Sequence, residues 1–583
     1  MTVPDVFLRS RRVVGRNGIM WVRYPRTSHL PWSPGATADD VRLADLGGFA
    51  GREVVVTEKL DGENTTLYRD GLHARSLDSA HHPSRAWVKA LHGAVAAGIP
   101  PGWRVCGENL YARHSIEYRD LESWFYAFSV WDGDRCLGWD ETVRFARRLG
   151  VPVPRVLWRG VFDERALRAL RLDLTRQEGY VVRTVDGFDR AEFARCVAKW
   201  VRRDHVRTDE HWMSGPVVPN GRGAAGALWD VRAGLPVDAR TVLAAVGFTE
   251  GSDEVLARLD LLGRTGDARL AGILAALLHD VPRPRLLPRL SGTVGMRLAR
   301  RVADLVGLHS VLHRVFPDAE RRAGLVRLSA AADLGVLHAV AAATAPDADA
   351  RDQVAWSALH AEDAGLLGED PLAHVRSGLL EALRDHDADV ADRCWAHARE
   401  AFAAGRLTTA EEAVALTWRW RAGSFPRLVA MTGPAGAGKS TFVRTLKDVD
   451  VISLDDLREA RGSRSDQRAN GDVLRAGLRR LDAALARGGT AVWDATSLNR
   501  HQRQVVRDVA DRHGALVTLA VMVVDEEEVM RRNAERLHAV PAEVVAAQLA
   551  RFSPPYPGEA HRTWYVDRDG IVADVAGSLD EES

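Results

Sequence analysis

Short apolar runs separated by turn signals fill the first third of the chain. Residues 54–57 (Val-Val-Val-Thr) are apolar and β-branched, and they predict a buried strand. Residues 65–68 and 72–75 lie on either side of Asp70-Gly71, a turn signal, and predict a hairpin. More strands are predicted at residues 103–106, 124–132, 178–183 and 197–201. We therefore expect a strand-rich α+β domain over residues 1–215.

The pattern changes after this region. Residues 216–226 are rich in Gly and Pro, which predicts a linker. Residues 227–422 carry Ala, Leu, Arg and Asp at helical spacing and predict an all-α middle domain, with helices at 270–280 and 409–420. From residue 425 onward, apolar strands alternate with helices, which predicts an α/β domain over residues 425–583. The expected fold is multidomain, with these three classes in that order.

Composition places limits on the kind of protein. With 583 residues the chain is too long for one core, and its 46% hydrophobic and 27% charged residues are ordinary for a globular protein. Lys plus Arg equals Asp plus Glu at 79 each, so net charge alone does not indicate a polyanion partner. The four cysteines have no zinc-binding spacing, and neither a signal peptide nor a membrane-spanning run is predicted. We expect a cytoplasmic protein without a membrane partner.

A lysine stands at the end of the first buried strand. Lys59 follows the run at residues 54–57 and precedes Asp61-Gly62, so its amine is expected to point into the space that the sheet encloses. Later strands add four candidates in chain order: Glu108, Phe128, Glu178 and Lys199. Together these residues offer an amine, carboxylates, a cation and an aromatic ring.

This series resembles the motifs of covalent nucleotidyltransferases. It is most similar to RNA ligases of the phage RNA ligase 2 type, over about the first third of the chain. Residues 23–35 and 204–212 resemble a bacterial branch of that family. The resemblance implies an adenylation domain in which Lys59 carries AMP as a phosphoramidate. ATP and Mg²⁺ (or Mn²⁺) are the implied cofactors.

The resemblance also implies how Lys59 becomes reactive. A free lysine has a pKa of about 10.4, and an amine that attacks phosphorus must lose its proton. Lys199 is the implied cation that, together with Mg²⁺, lowers the pKa of Lys59 and stabilises the pyrophosphate that leaves, and Glu178 is the implied metal ligand. The family often has Lys-x-Lys in its last motif, whereas only Lys199 is present here.

Nucleotide contacts follow from the same resemblance. Glu108 would accept a hydrogen bond from a ribose hydroxyl, and Arg75 matches the arginine that follows the attachment motif. Phe128 would stack on adenine, with Phe125 and Tyr126 as alternative registers.

A second motif follows the strand predicted at residues 427–432. Residues 433–440 (Gly-Pro-Ala-Gly-Ala-Gly-Lys-Ser) form GxxxxGK[ST] between a strand and a helix, which is the P-loop pattern. Its glycines let backbone N–H groups close around phosphates, Lys439 reaches the β- and γ-phosphates, and Ser440 binds Mg²⁺. The predicted nucleotide-binding residues are Gly433, Gly436, Gly438, Lys439, Ser440 and Thr441.

The acceptor of the phosphate is predicted from the next strand. Residues 451–454 end at Asp455, at the strand edge where α/β sheets bind ligands. Asp455 and Arg458 have the spacing of 5′-OH polynucleotide kinases. This resemblance implies that Asp455 is the general base and that Arg458 binds a phosphate of the substrate RNA. Arg532 and Arg536 are four apart, are expected on one helix face, and resemble the arginines of the kinase lid.

The middle domain carries a third resemblance. His279-Asp280 resembles the signature of HD-type metal phosphohydrolases, and Asp333 is a candidate for the last aspartate of that family. The metal site also needs a histidine one helix upstream, and the sequence has none between His211 and His279. We therefore expect a degenerate HD-like domain without robust phosphatase activity, serving as a helical scaffold or RNA-binding spacer.

These motifs together predict an enzyme that heals and seals RNA ends. The kinase would phosphorylate 5′-OH ends, and the ligase would join 5′-phosphate to 3′-OH ends. Other hypotheses are a capping-type guanylyltransferase, which GTP rather than ATP would label, and a kinase for a small metabolite. A non-enzymatic, nucleotide-gated RNA clamp is a further alternative, in which Lys59 and Asp455 would not matter for turnover.

Overall fold

The computed structural model describes residues 13–14, 20–38, 40–77, 81–203, 216–236, 238–251, 253–261, 263–315, 321–461, 470–536 and 538–581. The family-like segment at residues 204–212 lies outside the described residues. The chain divides into two compact units. Unit 1 contains residues 1–249 and 263–270, and unit 2 contains residues 250–262 and 271–583.

Unit 1 is built on two antiparallel-rich sheets. Its strands are β1 (Val13–Val14), β2 (Met20–Trp21), β3 (Ser28–His29), β4 (Glu53–Lys59), β5 (Glu63–Tyr68), β6 (Gly71–Ala74), β7 (Trp103–Asn109), β8 (Phe125–Asp132), β9 (Arg135–Cys136), β10 (Val156–Val161), β11 (Gly179–Thr184), β12 (Phe188–Asp189) and β13 (Val197–Val201). One sheet has the order β10-β4-β11-β13-β3, the other has the order β12-β9-β8-β7-β5-β6, and β1 pairs with β2. Its helices are α1 (Ala86–Val95), α2 (Trp139–Leu149), α3 (Glu164–Arg168), α4 (Phe193–Cys196), α5 (Gly226–Arg232) and α6 (Ala239–Ala245).

The predicted strands of this region are present, and their cores explain the sequence pattern. Val54, Val55 and Val56 of β4 are all fully buried, which is why the run is continuous rather than alternating. The second sheet packs on α1 and α2 through a core that includes Val105, Val130 and Phe145. The hairpin at Asp70-Gly71 is confirmed by the pairing of β5 with β6.

The Gly/Pro-rich segment at residues 216–226 is not a linker, which corrects the sequence prediction. Asn220 is only 2% exposed, and its backbone N–H donates to the Tyr111 carbonyl at 2.9 Å. Farther along, Ala233 and Leu235 pack into the core of the second sheet. The chain therefore stays in unit 1 up to residue 249. The three domains over residues 1–215, 227–422 and 425–583 stay a prediction.

Unit 2 combines a helical part with an α/β part. Its helices are α7 (Asp253–Ala257), α9 (Arg283–Val294), α10 (Met296–Leu308), α11 (Arg321–Ser329), α12 (Leu334–Thr344), α13 (Ala348–Asp363), α14 (Ala373–Ala382), α15 (Ala388–Ala403), α16 (Ala410–Leu416), α17 (Lys439–Val443), α18 (Leu454–Glu459), α19 (Asn470–Ala486), α20 (Arg500–Arg512), α21 (Glu526–Ala534) and α22 (Ala542–Arg551). Helix α8 (Gly266–Leu277) begins in unit 1 and ends in unit 2. The strands of unit 2 are β14 (Arg427–Thr432), β15 (Val449–Ser453), β16 (Thr490–Asp494), β17 (Leu516–Met522), β18 (Arg562–Val566) and β19 (Val572–Ala576). They form one sheet in the order β15-β16-β14-β17-β18-β19.

The sheet of unit 2 is parallel except for β19, so the carboxyl ends of β14, β15 and β16 share one edge. Buried ion pairs join the helical part to the α/β part. Arg300 Nε of α10 donates to Asp574 Oδ2 at 2.7 Å, and Arg562 Nη1 donates to Asp392 Oδ2 of α15 at 2.9 Å. The predicted fold classes, α+β, all-α and α/β, are confirmed. Within the described residues no single helix is long and apolar enough to cross a membrane, and one pair bent by 98°, Ala323–Ser329 with Leu334–Thr344, meets the length and composition criteria together.

Candidate active sites

The first site lies where the chain passes from one sheet of unit 1 to the other. Lys59 is the last residue of β4, and β5 begins four residues later in the second sheet. Its register partner on β11 is Gly179, so Glu178, directly before β11, lies beside it. Lys59 Nζ donates a hydrogen bond to Glu178 Oε2, and the Glu178 side chain is only 7% exposed. The structure therefore brings the predicted nucleophile and the predicted metal ligand into direct contact.

Glu108 approaches the same lysine from the other sheet. It lies on β7, and its Oε1 accepts a hydrogen bond from Gly62 N at 3.2 Å. Burial raises the pKa of Glu108 to about 8, although the charge of Lys59 acts against that rise.

The charge state of Lys59 is set by two neighbouring acidic residues. Burial alone would lower the pKa of Lys59, but the carboxylates of Glu178 and Glu108 outweigh it and raise the pKa above its ordinary value. The depression of this pKa by Lys199 together with Mg²⁺ stays a prediction. Lys59 is held as a protonated, paired amine.

Lys199 lies on the same face of the sheet as Lys59. Lys199 of β13 pairs with Val181 of β11, which pairs with Thr57 of β4. Burial and the charge of Lys59 lower the pKa of Lys199. Arg75 is exposed just after β6, and its charge also acts on Lys199. The structure thus brings these predicted residues to one site.

The aromatic candidates differ in exposure. Phe128 is half-buried, whereas Phe125 and Tyr126 are buried. The centroid of the Phe128 ring lies 5.2 Å from that of the Tyr24 ring. Phe128 packs against the same buried cluster as Val181, the register partner of Lys199. Phe128 therefore lies near the lysine face of the sheet, and its role in stacking on adenine stays a prediction.

Asp40 is a charged residue that the sequence analysis missed. Burial alone would raise the pKa of Asp40, but hydrogen bonds from Thr37 N at 3.1 Å and Thr37 Oγ1 at 3.0 Å help to lower it to about 2. Asp40 also acts on the charge of Lys199. The available signal was its position shortly after the family-like segment at residues 23–35.

The second site is the P-loop between β14 and α17. Lys439 Nζ donates to the carbonyls of Gly433 at 2.9 Å and Pro434 at 2.8 Å, so the amine turns back over the loop. Burial lowers the pKa of Lys439 to about 8. Ser440 Oγ donates to Asp494 Oδ2 at 3.1 Å. The amine and the hydroxyl predicted to bind nucleotide and metal thus lie at one strand edge.

Asp494 ends β16 and received no role from the sequence. Burial raises the pKa of Asp494, with the charge of Lys439 acting against that rise. Its contact with Ser440 makes it a candidate ligand for a magnesium ion at the P-loop, because carboxylate and hydroxyl oxygens suit that ion. An acidic residue at a strand end beside a P-loop was the signal that could have identified it.

The P-loop conformation depends on its glycines. Gly433, Gly436 and Gly438 all have positive φ, at 146°, 86° and 97°. A Cβ on Gly436 would lie 2.7 Å from the Val529 carbonyl oxygen of α21, so the loop packs directly on that helix. Thr441 is exposed on α17 and accepts a hydrogen bond from Arg444 Nη2 at 3.2 Å.

Asp455 occupies the first turn of α18, directly after β15. Because β15 is parallel to β16, Asp455 lies at the same sheet edge as Asp494, and its charge acts on Lys439. Asp455 Oδ1 accepts a hydrogen bond from Arg458 Nη1 at 2.5 Å, and the aspartate side chain is 65% exposed. The predicted base and the predicted RNA-phosphate ligand are therefore paired with each other.

The two predicted lid arginines do not share a helix face, which corrects the sequence prediction. Helix α21 ends at Ala534 because the Asn533 side chain bonds both the N–H and the carbonyl of Val540, which turns the chain. Arg536 lies beyond that end, where its charge lowers the pKa of Lys439. Arg532 remains on α21, and its Nη1 lies 3.6 Å from the place a Cβ on Gly438 would take. Both arginines are still near the P-loop.

The HD-like residues do not assemble into a metal site. Across the described part of the chain, no group of three or more His, Cys, Asp and Glu side chains is arranged to hold a metal ion. His279 Nδ1 bonds the Ala276 carbonyl at 2.9 Å, and Asp280 is 91% exposed. Asp333 caps α12 by accepting from Val336 N. These contacts are those of helix ends.

Comparisons with known proteins agree with the two sites. Residues 52–201 match the family model described as RNA ligase, and residues 428–555 match the one described as AAA domain. The predicted resemblance is confirmed: an RNA ligase domain lies toward the N-terminus, and a kinase-like P-loop domain lies toward the C-terminus. No curated protein sequence matches the chain.

Several solved structures match parts of the chain. The Pnkp1/Rnl/Hen1 RNA repair complex matches at 20% identity over 23% of this chain and 49% of that chain, with a TM-score of 0.20. A mutant of the Naegleria gruberi RNA ligase with ATP and Mn matches at 18% identity over 31% of this chain and 62% of that chain, with a TM-score of 0.22. Chaetomium thermophilum Kti12 in complex with ADP-AlF3 matches at 16% identity over 24% and 88%, with a TM-score of 0.21. This chain spans about half the length of the matched chain in the repair complex.

Proposed function

We propose that this chain heals and seals broken RNA. Its P-loop site phosphorylates 5′-OH ends as a polynucleotide 5′-hydroxyl kinase, and its lysine site joins 5′-phosphate to 3′-OH ends as an ATP-dependent RNA ligase. The observation that carries the proposal is the amine of Lys59, paired with Glu178 and adjacent to Glu108, within a domain that matches RNA ligases. The kinase-like P-loop domain on the same chain supplies the preceding step.

Sealing proceeds through two transfers of AMP. The neutral amine of Lys59 attacks the α-phosphorus of ATP, a P–N bond forms, and pyrophosphate leaves. The 5′-phosphate of RNA then attacks the lysyl-AMP phosphorus and frees the lysine. Finally the 3′-OH attacks the adenylylated 5′-phosphate, which forms the phosphodiester and releases AMP. Glu108 would bind the ribose, and Phe128 would stack on adenine.

The kinase step transfers the γ-phosphoryl group of a second ATP. Asp455 takes the proton of the attacking 5′-hydroxyl, and Arg458 releases Asp455 to bind an RNA phosphate. Lys439 and the backbone of the P-loop hold the β- and γ-phosphates. Arg532 and Arg536 would neutralise charge as the phosphoryl group moves.

Each site has oxygen donors that fit a divalent cation. Glu178 in the first site, and Ser440 with Asp494 in the second, offer the hard oxygen ligands that Mg²⁺ or Mn²⁺ prefers alongside ATP phosphates. A bound ion there would reduce the negative charge of the phosphates that these residues face. We also propose a cytoplasmic location, which the four free and buried cysteines support.

The competing hypotheses differ in their nucleotide or acceptor. A capping-type guanylyltransferase would transfer GMP, and the match of residues 52–201 to RNA ligases favours AMP. A small-metabolite kinase would ignore 5′-OH oligonucleotides. Neither hypothesis explains both matched domains on one chain.

Labelled ATP tests the proposal. Incubation with α-labelled ATP and Mg²⁺ should label the protein with AMP, and Lys59→Ala should abolish the label. Incubation with γ-labelled ATP should label 5′-OH RNA, and Lys439→Ala should abolish that transfer. An AMP adduct that persists in Lys59→Ala would contradict the assignment.

A nicked RNA duplex separates the two sites. Asp455→Asn should block sealing of a 5′-OH nick by about a hundredfold or more, because general-base loss is typically that costly. It should leave sealing of a pre-phosphorylated nick intact, whereas Lys59→Ala should seal neither nick and still phosphorylate RNA. Asp456→Asn, the neighbouring carboxylate on α18, is the matched control and should seal both nicks. Loss of both reactions in a folded Asp455→Asn protein would refute the two-site model.

A further inference from the structure

The turn that follows Lys59 is held from outside its own two strands. Asp61 N donates to the Tyr118 hydroxyl at 2.9 Å. Asp61 Oδ2 accepts from Ser115 N at 2.8 Å, Ser115 Oγ at 2.7 Å and Ile116 N at 3.0 Å. All these partners belong to the loop at residues 111–121, so one loop fixes both the backbone and the side chain of Asp61.

That loop is itself held by the segment that the sequence predicted to be a linker. Asn220 Oδ1 accepts from Tyr118 N at 3.0 Å, and Gly221 N donates to the Tyr118 carbonyl at 2.8 Å. Asn220 Nδ2 also donates to the Leu110 carbonyl at 2.8 Å. Both main-chain polar groups of Tyr118 are therefore bonded to one strap, residues 218–223, and its hydroxyl is bonded to the lysine turn.

The turn after Lys59, residues 60–62 (the lysine turn), is tightly packed and is not held by pairing between the two strands that it joins. Its flanking strands, β4 and β5, belong to different sheets, so strand pairing across one sheet does not fix the residues between them. A Cβ on Gly62 would lie 2.5 Å from the Asn109 carbonyl oxygen, which shows how closely the turn approaches β7. The backbone of Lys59 is itself paired with Gly179 of β11, and the turn begins at the next residue, so a change in the turn would alter the surroundings of the amine. Misplacement of reacting groups by about 1 Å can cost roughly a hundredfold in rate.

We infer that Tyr118 is a positioning residue for Lys59, and that the strap centred on Asn220 sets Tyr118. The inference rests on the proposed AMP transfer to Lys59. Tyr118 is buried, with 8% exposure, and burial raises its pKa well above the ordinary value, so its hydroxyl keeps its proton. It thus acts as a fixed hydrogen-bond partner and takes no part in the chemistry.

A pair of matched tyrosine variants tests this role. Tyr118→Phe removes the acceptor of the Asp61 N–H, and Tyr68→Phe removes the acceptor of the Val22 N–H, which is also 2.9 Å from its hydroxyl. Both tyrosines are buried, at 8% and 6% exposure, so a purely structural loss should be alike in the two variants. The full chain is used, and its kinase activity on 5′-OH RNA reports that unit 2 is intact.

The readout separates the amine step from the sealing step. In a single turnover with ATP, Tyr118→Phe should form lysyl-AMP at least tenfold more slowly than Tyr68→Phe. Sealing of RNA supplied with a pre-adenylylated 5′ end needs no attack by Lys59, so both variants should seal it within about threefold of each other. Asn220→Ala should repeat the Tyr118→Phe pattern, because it releases Tyr118 from the strap.

Three outcomes would overturn the inference. Equal slowing of lysyl-AMP formation by the two tyrosine variants would show a general loss of stability. Equal slowing of both steps by Tyr118→Phe would show that the whole pocket, and not the amine, depends on the hydroxyl. Absence of an AMP adduct in the unaltered protein would refute the proposed function, and the inference with it.

Discussion

Removing the carboxylate of Glu178 should lower the pKa of Lys59. The side chains of the pair are 23% and 7% exposed, and Lys59 donates directly to Glu178. A hydrogen bond between charged groups contributes about 1.5–3 kcal/mol. Glu178→Gln should therefore remove about that much stabilisation of the protonated amine, and it should lower the pKa of Lys59. Glu108 still faces the lysine in this variant, which keeps the shift from being larger.

The pKa can be measured without the reaction. The rate at which an amine reagent acylates Lys59, followed by peptide mass spectrometry across pH, reports the fraction of neutral amine. Glu58→Gln is the matched control, because it makes the same substitution next to Lys59 and its side chain bonds Gln177 instead. Glu178→Gln should shift the profile to lower pH, and Glu58→Gln should leave it in place.

The free energy of unfolding provides a second measurement, and the sign of its expected change with pH is fixed. A lysine whose pKa is raised in the folded protein stabilises the fold below its ordinary pKa, and this contribution is lost as pH rises through the raised value. Glu178→Gln should therefore lower the free energy of unfolding at pH 7, and the loss should shrink above about pH 10.4. An unchanged or raised pKa of Lys59 in Glu178→Gln, or an equal shift in Glu58→Gln, would refute the reasoning.

Two more predictions concern unit 2. Gly436→Ala should lower the free energy of unfolding by about 1 kcal/mol more than Gly488→Ala and weaken ATP binding, because both glycines have φ near 85° but only the first would bring a Cβ against α21. Denaturant titration and nucleotide-binding measurements check this, and equal losses would contradict it. The helical part should release no phosphate from RNA ending in a 3′-phosphate or 2′,3′-cyclic phosphate. Metal-dependent release that His279→Ala abolishes would show that prediction to be wrong.

Residue types and strand order were enough to locate the first site. Lys59 and Glu178 each stand at one end of an apolar run, and antiparallel pairing of β4 with β11 places them side by side. The P-loop likewise follows from local spacing, because its strand, loop and helix are consecutive. The local sequence is therefore enough to predict which side chains lie at the end of a strand.

Through-space effects were not visible in the sequence. The raised pKa of Lys59 depends on Glu108 approaching from a different sheet. The early end of α21 depends on one side chain, Asn533, which bonds the backbone seven residues later. The strap at residues 218–223 has the Gly/Pro composition of a linker, and only its hydrogen bonds show that it is a packed part of unit 1. Each case needs a distance between residues that are far apart in the chain.

Burial alone would lower the pKa of each of the three lysines that were predicted to act, and neighbouring charges decide the net direction. Lys439 donates to neutral carbonyls, and the positive charge of Arg536 counteracts Asp494, so its pKa stays at about 8. That amine is mostly protonated at pH 7 and is held by weak partners, which suits a group that must move to phosphates. Lys59 instead has two carboxylates and stays charged. In the proposed sealing reaction, its resting pair with Glu178 must break before the amine can attack, so that first step would carry an electrostatic barrier that Lys439 does not face in the proposed kinase reaction.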